Sequence, residues 1–274
     1  MNAVQMMNRI DYYNDFTRSA RYSYAQYGEA VNGVILTYID EQLGFGVGEG
    51  KNSFEYVQKI RDRLYTLIKD TTPTITNGAT IVGRYGTFIP SHVVYPGDYQ
   101  NFVALYVTID GYTSYVRPTD YGRIGPLLDN SFMKPTNKKV YYIEDASGIT
   151  LYRGVGGTFS TVNFTYLKAP AVFSLGSEND WITAGGAITS GLTYIAIDDS
   201  EQSGTTYLSG TEFLASTSTP LTSGKVILAS NTTPCDLPEQ THDTICKMTS
   251  SLMLGVTSNF NGSQFVEKEV SKNN

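Results

Sequence analysis

The stretch FVALYVTIDGYTSYVR, residues 102–117, decides the fold. Two runs rich in Val, Tyr and Thr flank the dipeptide Asp110-Gly111, and β-branched and aromatic side chains favour extended strands. Asp-Gly is a strong signal for a two-residue hairpin turn, because both of its residues tolerate positive φ. The stretch therefore predicts an antiparallel β-hairpin.

Short runs of similar composition lie on both sides of this hairpin, separated by Gly, Pro, Asn and Asp. Such runs are typical of strands joined by turns. They predict further strands at residues 80–82, 139–143, 149–153 and 161–167. Together with the hairpin, these strands predict an antiparallel, sandwich-like β domain.

Helical periodicity precedes the β domain. Over residues 11–42 apolar side chains recur at intervals of three and four, so we expect one long amphipathic helix there. The glycine-rich segment 43–50 ends it. Asn52 followed by Glu55 has the pattern of a capping box for a second helix that runs to Pro73. A short loop joins the two helices, which predicts a helical hairpin.

The composition shifts toward Gly, Ser and Thr over residues 181–230. We interpret residues 181–233 as a small β module inserted into a main domain formed by 1–180 and 234–274. Strands of this module are predicted at residues 193–197, 205–208 and 225–228.

A last helix is expected after Asp236. Asp can cap a helix, Pro238 fits the first helical turn, and Glu239 stands three residues after the cap. The polar residues 259–274 are expected to form a flexible tail. The predicted fold class is α+β: an N-terminal helical hairpin and a C-terminal helix packed with an antiparallel β domain, plus the small inserted module.

Charge and cysteine content limit the classes of function. The formal net charge of −6 disfavours a surface that wraps nucleic acid, because that contact depends on Lys and Arg neutralising phosphates. It still permits DNA to pass through an acidic channel. Cys235 and Cys246 are expected to be buried free thiols rather than a disulfide framework. No signal peptide or membrane-spanning run is visible, so we expect no membrane anchor.

Motifs for catalysis, metals or cofactors are not found in the sequence. His92 and His242 lack the spacing of a zinc site, and each is expected to be an ordinary surface or core histidine. The glycine loop before Lys51 differs from a phosphate-binding loop at Phe45 and Asn52. We therefore expect no catalytic residue, no metal site and no cofactor.

The acidic run Asp198-Asp199-Ser-Glu201 offers carboxylate oxygens that could in principle bind calcium. It lacks the alternating carboxylates and the glycine of a dedicated calcium loop. We expect a solvated turn there.

Three short motifs carry a resemblance to a known family: Asn14-Asp15-Phe16 at the start of the long helix, Tyr166-Leu167-Lys168-Ala169-Pro170 at the end of a strand, and Leu237-Pro-Glu-Gln-Thr-His242 at the start of the last helix. In relatives these positions look like a strand ending in Y-L-K/R-x-P and a helix start of the form L-P-E-x-x-H. Their order resembles that in the neck ring proteins of crAss-like short-tailed bacteriophages. The resemblance covers most of the chain, and the segment 181–230 departs from the simplest pattern.

The resemblance implies a virion structural protein without enzymatic activity. Such a protein is a subunit of a homo-oligomeric ring, a dodecamer, in the head-to-tail connector that joins the portal to the tail. Its partners are the portal and other neck or tail proteins, and genomic double-stranded DNA crosses the ring without specific binding. It is made in the cytoplasm of the host bacterium and resides in the virion.

Tyrosine is abundant, with 21 residues, and its amphipathic ring suits half-buried protein contacts. Tyr24, Tyr27 and Tyr38 lie on the predicted helical stripe and are candidate oligomer contacts. They could equally be core positions within the hairpin.

Two other classes of function stay open. A Tyr- and Thr-rich β protein with the single Trp181 could be a carbohydrate-binding or adhesin module of a phage tail or host surface. An enzyme ranks third, because polar catalytic clusters are sparse and no cofactor motif is found. Glycoside hydrolysis stays open, since paired carboxylates can come from distant strands, although nothing in the sequence selects a pair.

Overall fold

The computed structural model describes residues 1–14, 22–43, 61–154 and 159–256. It divides into two compact units. One unit, here the helical unit, contains residues 1–66 and 170–274, and the other, here the sandwich unit, contains residues 67–169. The predicted boundaries at residues 181 and 233 group the residues differently, and they stay a prediction.

The fold is mixed α+β, as predicted. The helices are α1 (Ala3–Asn14), α2 (Tyr24–Leu43), α3 (Tyr121–Leu128) and α4 (Glu239–Val256), and residues 61–64 are also helical. In the helical unit, α1 and α2 pack against α4. Buried apolar side chains such as Ile10, Ile35 and Ile245 form this contact layer.

The prediction of one long helix over residues 11–42 is wrong. Tyr22 and Ser23 are not helical, and residues 15–21 lie outside the described residues. Helix α2 begins with a capping box of its own. Ser23 N–H donates to Gln26 Oε1 at 2.8 Å, and Gln26 N–H donates to Ser23 Oγ at 3.3 Å. These bonds satisfy backbone donors that a helix N-terminus otherwise leaves unpaired.

The second predicted helix also ends early. Its start at Asn52 and Glu55 lies outside the described residues, and the helical turn at residues 61–64 is followed by a strand, Ile68–Thr71. That strand pairs antiparallel with the strand Phe159–Lys168. The pairing satisfies the backbone in a sheet and overrides the helical periodicity of this segment.

The sandwich unit consists of two sheets. Its strands are β1 (Ile68–Thr71), β2 (Ile75–Asn77), β3 (Ile81–Gly83), β4 (Gly86–Val94), β5 (Tyr99–Ile109), β6 (Tyr112–Tyr115), β7 (Arg117–Pro118), β8 (Tyr141–Glu144), β9 (Gly148–Gly154) and β10 (Phe159–Lys168). One sheet has the order β1-β10-β5-β6 and the other β2-β4-β9-β8-β7, with β3 pairing the same edge of β4 as β2. All pairs are antiparallel except β7 with β8.

The core of the sandwich unit lies between these two sheets. Alternate residues of β5 and β10, including Val107 and Phe164, meet Leu151 of β9 and Tyr142 of β8. This alternation is what a sheet with one buried face requires. The predicted hairpin at Asp110-Gly111 is confirmed, with Ile109 paired to Tyr112 across the turn.

Strand β4 was not predicted, because Pro90 stands in its middle. Pro90 O accepts a hydrogen bond from Gly78 N–H, so this residue directs its backbone toward the side on which β2 and β3 pair. Proline has no N–H to donate, and Pro90 lies between the part of β4 that pairs with β3 and the part that pairs with β2. Proline is tolerated in a strand where no ladder donor is needed.

The helical unit also contains a β region. Its strands are β11 (Trp181–Thr183), β12 (Thr193–Ala196), β13 (Ser200–Gln202), β14 (Thr205–Tyr207), β15 (Glu212–Leu214) and β16 (Lys225–Leu228). The sheet order is β11-β16-β12-β15, and β13 and β14 form a separate hairpin. A small core that includes Tyr194, Phe213 and Val226 lies under this sheet.

Helix α4 begins at Glu239, close to the predicted start. Asp236 accepts a hydrogen bond from Ala171 N–H, and Thr241 N–H and Oγ1–H both donate to Pro238 O. The predicted tail, residues 259–274, lies outside the described residues. Over the described ranges, no helix is both long and apolar enough to cross a membrane.

Candidate interaction surface

The three candidate contact tyrosines pack against other residues of the helical unit. Tyr27 and Tyr38 are buried, with 6% and 2% of their surface exposed, and Tyr27 O–H donates to Asp11. Burial raises the pKa of Tyr38, so its hydroxyl stays protonated. Tyr24 is half-buried and lies edge-to-face on Trp181, with ring centroids 4.5 Å apart. Their role as oligomer contacts stays a prediction.

Trp181 has neighbours from the same unit on its ring. In addition to Tyr24, the ammonium group of Lys225 lies 5.2 Å from the ring centroid. Tryptophans that bind sugars stack an accessible ring face on the ligand, whereas this ring packs against a helix and a neighbouring strand. The position of Trp181 therefore gives the carbohydrate-binding alternative no added support.

The prediction of a solvated turn at the acidic run is confirmed only for Asp198 and Asp199, which are exposed in a bend, whereas Glu201 and the buried Ser200 belong to strand β13. Asp198 Oδ1 accepts a hydrogen bond from Lys225 N–H at 2.5 Å, and Asp199 Oδ1 accepts one from Ser209 N–H at 3.1 Å. Carboxylates at such positions commonly fix local turns. In the four described ranges, no group of His, Cys, Asp and Glu side chains is placed to hold a metal ion.

Cys235, Cys246 and His242 are buried, and both cysteines are free thiols, as predicted. Burial raises the pKa of Cys235 to about 11 and that of Cys246 to about 12, so both thiols remain protonated and unreactive. Burial also lowers the pKa of His242 below its ordinary value, and its Nε2 lies 2.8 Å from Leu237 O.

One set of exposed apolar side chains in the sandwich unit lies on β3, on the turn that follows it and on the segment after α3. We call it the Phe132 patch and define it as Val82, Tyr85, Phe132 and Met133, with the adjoining cation Arg84. Phe132 is 87% exposed and Val82 is 82% exposed, while Tyr85 and Met133 are each 42% exposed. Exposed apolar side chains that cluster in this way mark interaction sites more often than isolated ones do.

The two loops of the Phe132 patch are joined by hydrogen bonds. Lys134 Nζ donates to Tyr85 O at 2.7 Å, and Arg84 N–H donates to Asp129 Oδ1 at 2.9 Å. Gly83 also approaches closely, since a Cβ there would lie 3.1 Å from Leu128 O. These contacts place the β3–β4 turn beside the segment that follows α3.

Phe132 itself is held by its backbone. Asn130 Oδ1 accepts hydrogen bonds from the N–H groups of Phe132 and Met133 at 2.9 and 3.0 Å. Lys139 Nζ donates to Phe132 O at 2.9 Å. The loop is thus fixed although its largest side chain is in solvent, so docking against it would cost little ordering entropy.

The surroundings of the Phe132 patch are basic. Residues 81–86 and 117–139 contain six Lys or Arg and two Asp, in a chain whose net charge is −6. Both acids have partners within the unit: Asp129 bonds to Arg84 N–H, and Asp120 pairs with Arg123 at 3.3 Å. An acidic partner surface therefore suits this patch.

Two further exposed leucines lie in the β region of the helical unit: Leu214 on the edge strand β15, and Leu208 in the segment before it, whose O accepts a hydrogen bond from Thr211 N–H. We call the exposed side chains Leu208, Glu212 and Leu214 the β15 face. Glu212 and Leu214 are exposed on β15 while Phe213 between them is buried, as alternation in a strand requires. Leu208 and Leu214 are each 65% exposed.

Sequence reasoning missed both surfaces, because composition cannot tell which apolar residues fail to reach a core. One local signal was present: Asn130 two residues before Phe132 is typical of a turn in which an Asn side chain binds backbone donors. Comparison with protein-family models and with curated proteins finds no match for this chain.

Proposed function

We propose that this chain is a structural subunit of an oligomeric ring in the head-to-tail connector of a tailed phage, where it joins portal to tail and forms part of the DNA channel. The observation that carries the proposal is the Phe132 patch. An exposed phenylalanine on a hydrogen-bonded loop is costly in water and is useful when another protein covers it.

Two further features support a role in assembly. The motifs at residues 166–170 and 237–242 resemble those of neck ring proteins of crAss-like phages. The β15 face offers a second exposed apolar group on the other unit, so one subunit carries two separate contact surfaces. A ring subunit needs two such surfaces, one for each neighbour.

The location of the chain in virions tests the proposal. Particles of a phage that encodes the chain are purified, its copy number relative to the portal protein is measured by mass spectrometry, and the neck is imaged by cryo-electron microscopy. We expect a fixed stoichiometry in a ring below the portal. Disruption of the gene should leave DNA-filled heads without tails, and supplying the protein in trans should restore joining.

Absence of the chain from intact virions would overturn the proposal. So would normal joining of heads and tails in its absence. Specific binding to a glycan that Trp181→Ala abolishes, with the fold retained, would instead support the carbohydrate-binding alternative.

A further inference from the structure

We propose that the Phe132 patch docks on the β15 face of a second copy of this chain. The inference deepens the proposed function by naming the partner of this surface, and it rests on that function for the closure of successive contacts into a ring. The occupant is a second copy because the two units of this chain have complementary charge and because each exposes an apolar group.

Charge is divided unevenly between the units. The helical unit has 11 Lys and Arg and 19 Asp and Glu, a net charge of −8, whereas the sandwich unit has 9 and 7, a net charge of +2. Complementary potentials of this kind steer association and fix its orientation. The sandwich unit of one copy should therefore approach the helical unit of another.

The difference in charge per residue is larger in the sequence segments that carry the two surfaces. Residues around the Phe132 patch, 81–86 and 117–139, have a net charge of +4, whereas residues 170–233, which include the β15 face, contain six Asp or Glu and one Lys. Arg84 and Glu212 are both exposed, and Glu212 Oε1 also accepts a hydrogen bond from Asn2 Nδ2 at 3.1 Å. These two residues are the charged pair expected to meet across the contact.

Apolar contact supplies the second element of complementarity. Phe132 and Val82 would pack against Leu208 and Leu214, side chains whose exposure in the single chain is between 65% and 87%. Aromatic side chains at the centre of an interface commonly contribute most of its binding energy, and a charged rim mainly sets specificity. Since the two faces differ, the contact is heterologous, the type that forms a ring when the rotation between neighbouring copies closes and a filament when it does not.

Sedimentation of the full chain tests the contact. We expect self-association that rises with concentration between about 1 µM and about 1 mM, the range of modest protein affinities. Phe132→Asp and Val82→Asp should each weaken the association constant by about tenfold or more. Val94→Asp is the matched control, because Val94 is an exposed valine at the far end of β4, about 25 Å away. It should leave the association constant unchanged.

A charge exchange tests the partner surface. Arg84→Glu and Glu212→Arg should each weaken association, and the double variant that carries both changes in one chain should restore it, because every contact then joins the two changed residues. Circular dichroism and thermal unfolding check that each variant is folded. A monomer over the whole concentration range, or association equally sensitive to Val94→Asp, would overturn the inference. Failure of the double variant to recover would overturn the assignment of the β15 face as the partner surface.

Particle assembly separates this inference from the proposed function. In the phage that lacks the gene, the Phe132→Asp protein should fail to restore joining, while the Val94→Asp protein should succeed. A ring in the virion that forms normally with Phe132→Asp would overturn the inference and leave the proposed function intact. If the chain self-associates through the Phe132 patch but is absent from virions, the proposed function is overturned and the contact between copies stands.

Discussion

Gly111 lies in the left-handed region at the tip of the β5–β6 hairpin, with φ of +81°, and nothing lies within 4 Å of where its Cβ would be. Gly111→Ala should lower the free energy of unfolding by about 1 kcal/mol, because an L-residue with a Cβ is strained in this conformation. Gly97→Ala is the control, since Gly97 has equal space and no positive φ. Equal unfolding midpoints of the two variants in urea would contradict the expectation.

His242 should make stability depend on pH. Burial lowers its pKa below the ordinary 6.5, opposed mainly by the hydrogen bond with Leu237 O, so the unfolded chain takes up a proton before the folded one does. This contribution is complete above about pH 6.5 and is lost as the pH falls below that value. Urea unfolding should show a lower free energy of unfolding at pH 5.5 than at pH 7.5.

His242→Gln supplies the comparison. The variant keeps a polar side chain but does not titrate, so its stability should change less over the same interval. Carboxylates whose pKa is held down by hydrogen bonds, such as Asp145, lose their contribution only near and below pH 4. A wild-type chain as stable at pH 5.5 as at pH 7.5 would contradict the expectation.

At this scale the sequence predicts some residues well and others poorly. The Asp110-Gly111 turn and the buried free thiols are confirmed, because both follow from local chemistry. Phe132 was not predicted as a surface residue, since exposure depends on where the rest of the chain passes. The candidate tyrosines show the same limit. Periodicity placed Tyr27 and Tyr38 on one helix face, but it does not tell whether that face contacts another subunit or the core of the same unit. In the structure both side chains are buried within the unit.

Among the elements, α2 depends on its capping box. Ser23→Ala combined with Gln26→Ala should destabilise the chain by about 1 kcal/mol, because two backbone groups at the start of the helix lose their partners. Ser23→Asp should retain most of the stability, since its carboxylate can accept the same hydrogen bond. Thermal unfolding followed by circular dichroism measures the difference. Indistinguishable melting temperatures of the alanine and aspartate variants would show that the cap is dispensable.

Elements were predictable where local pattern and tertiary contacts agree. Strands β5, β6, β9 and β10 and helix α4 lie close to their predicted positions. Helix α3 was missed because it contains Gly122, Gly125 and Pro126, which disfavour helices, although Asp120 caps it by accepting a hydrogen bond from Arg123 N–H. Strand β1 was missed because its partner β10 is distant in sequence. Its periodicity alone favoured a helix.

On the scale of the whole molecule, the sandwich unit begins and ends at adjacent points. Ile68 pairs with Leu167, and Lys168 N–H donates to Leu67 O at 2.9 Å. Asp98 reinforces this end by binding Lys69 and Tyr166 through its carboxylate and Ala169 N–H through its carbonyl. The sandwich unit is thus a continuous segment closed at its base, an arrangement that composition did not reveal.

Residues 67–169 should therefore fold when expressed alone. The segment has its own core between two sheets, and neighbouring ends are typical of segments that tolerate excision. We expect a cooperative unfolding transition and dispersed amide signals in nuclear magnetic resonance spectra. The segment 181–233 is the comparison, because its small core includes few large side chains and is expected to be insufficient alone. A disordered 67–169 fragment would contradict the expectation.

The closed base of the sandwich unit also determines how it would respond to tension. Tension applied at residues 67 and 169 acts on two points that flank the same end of the β1–β10 pair. The load would separate the two strands from this end, so their hydrogen bonds would break one after another. The sandwich unit should therefore give way at low force, whereas a push transmitted across its sheets would load the packed interior as a whole.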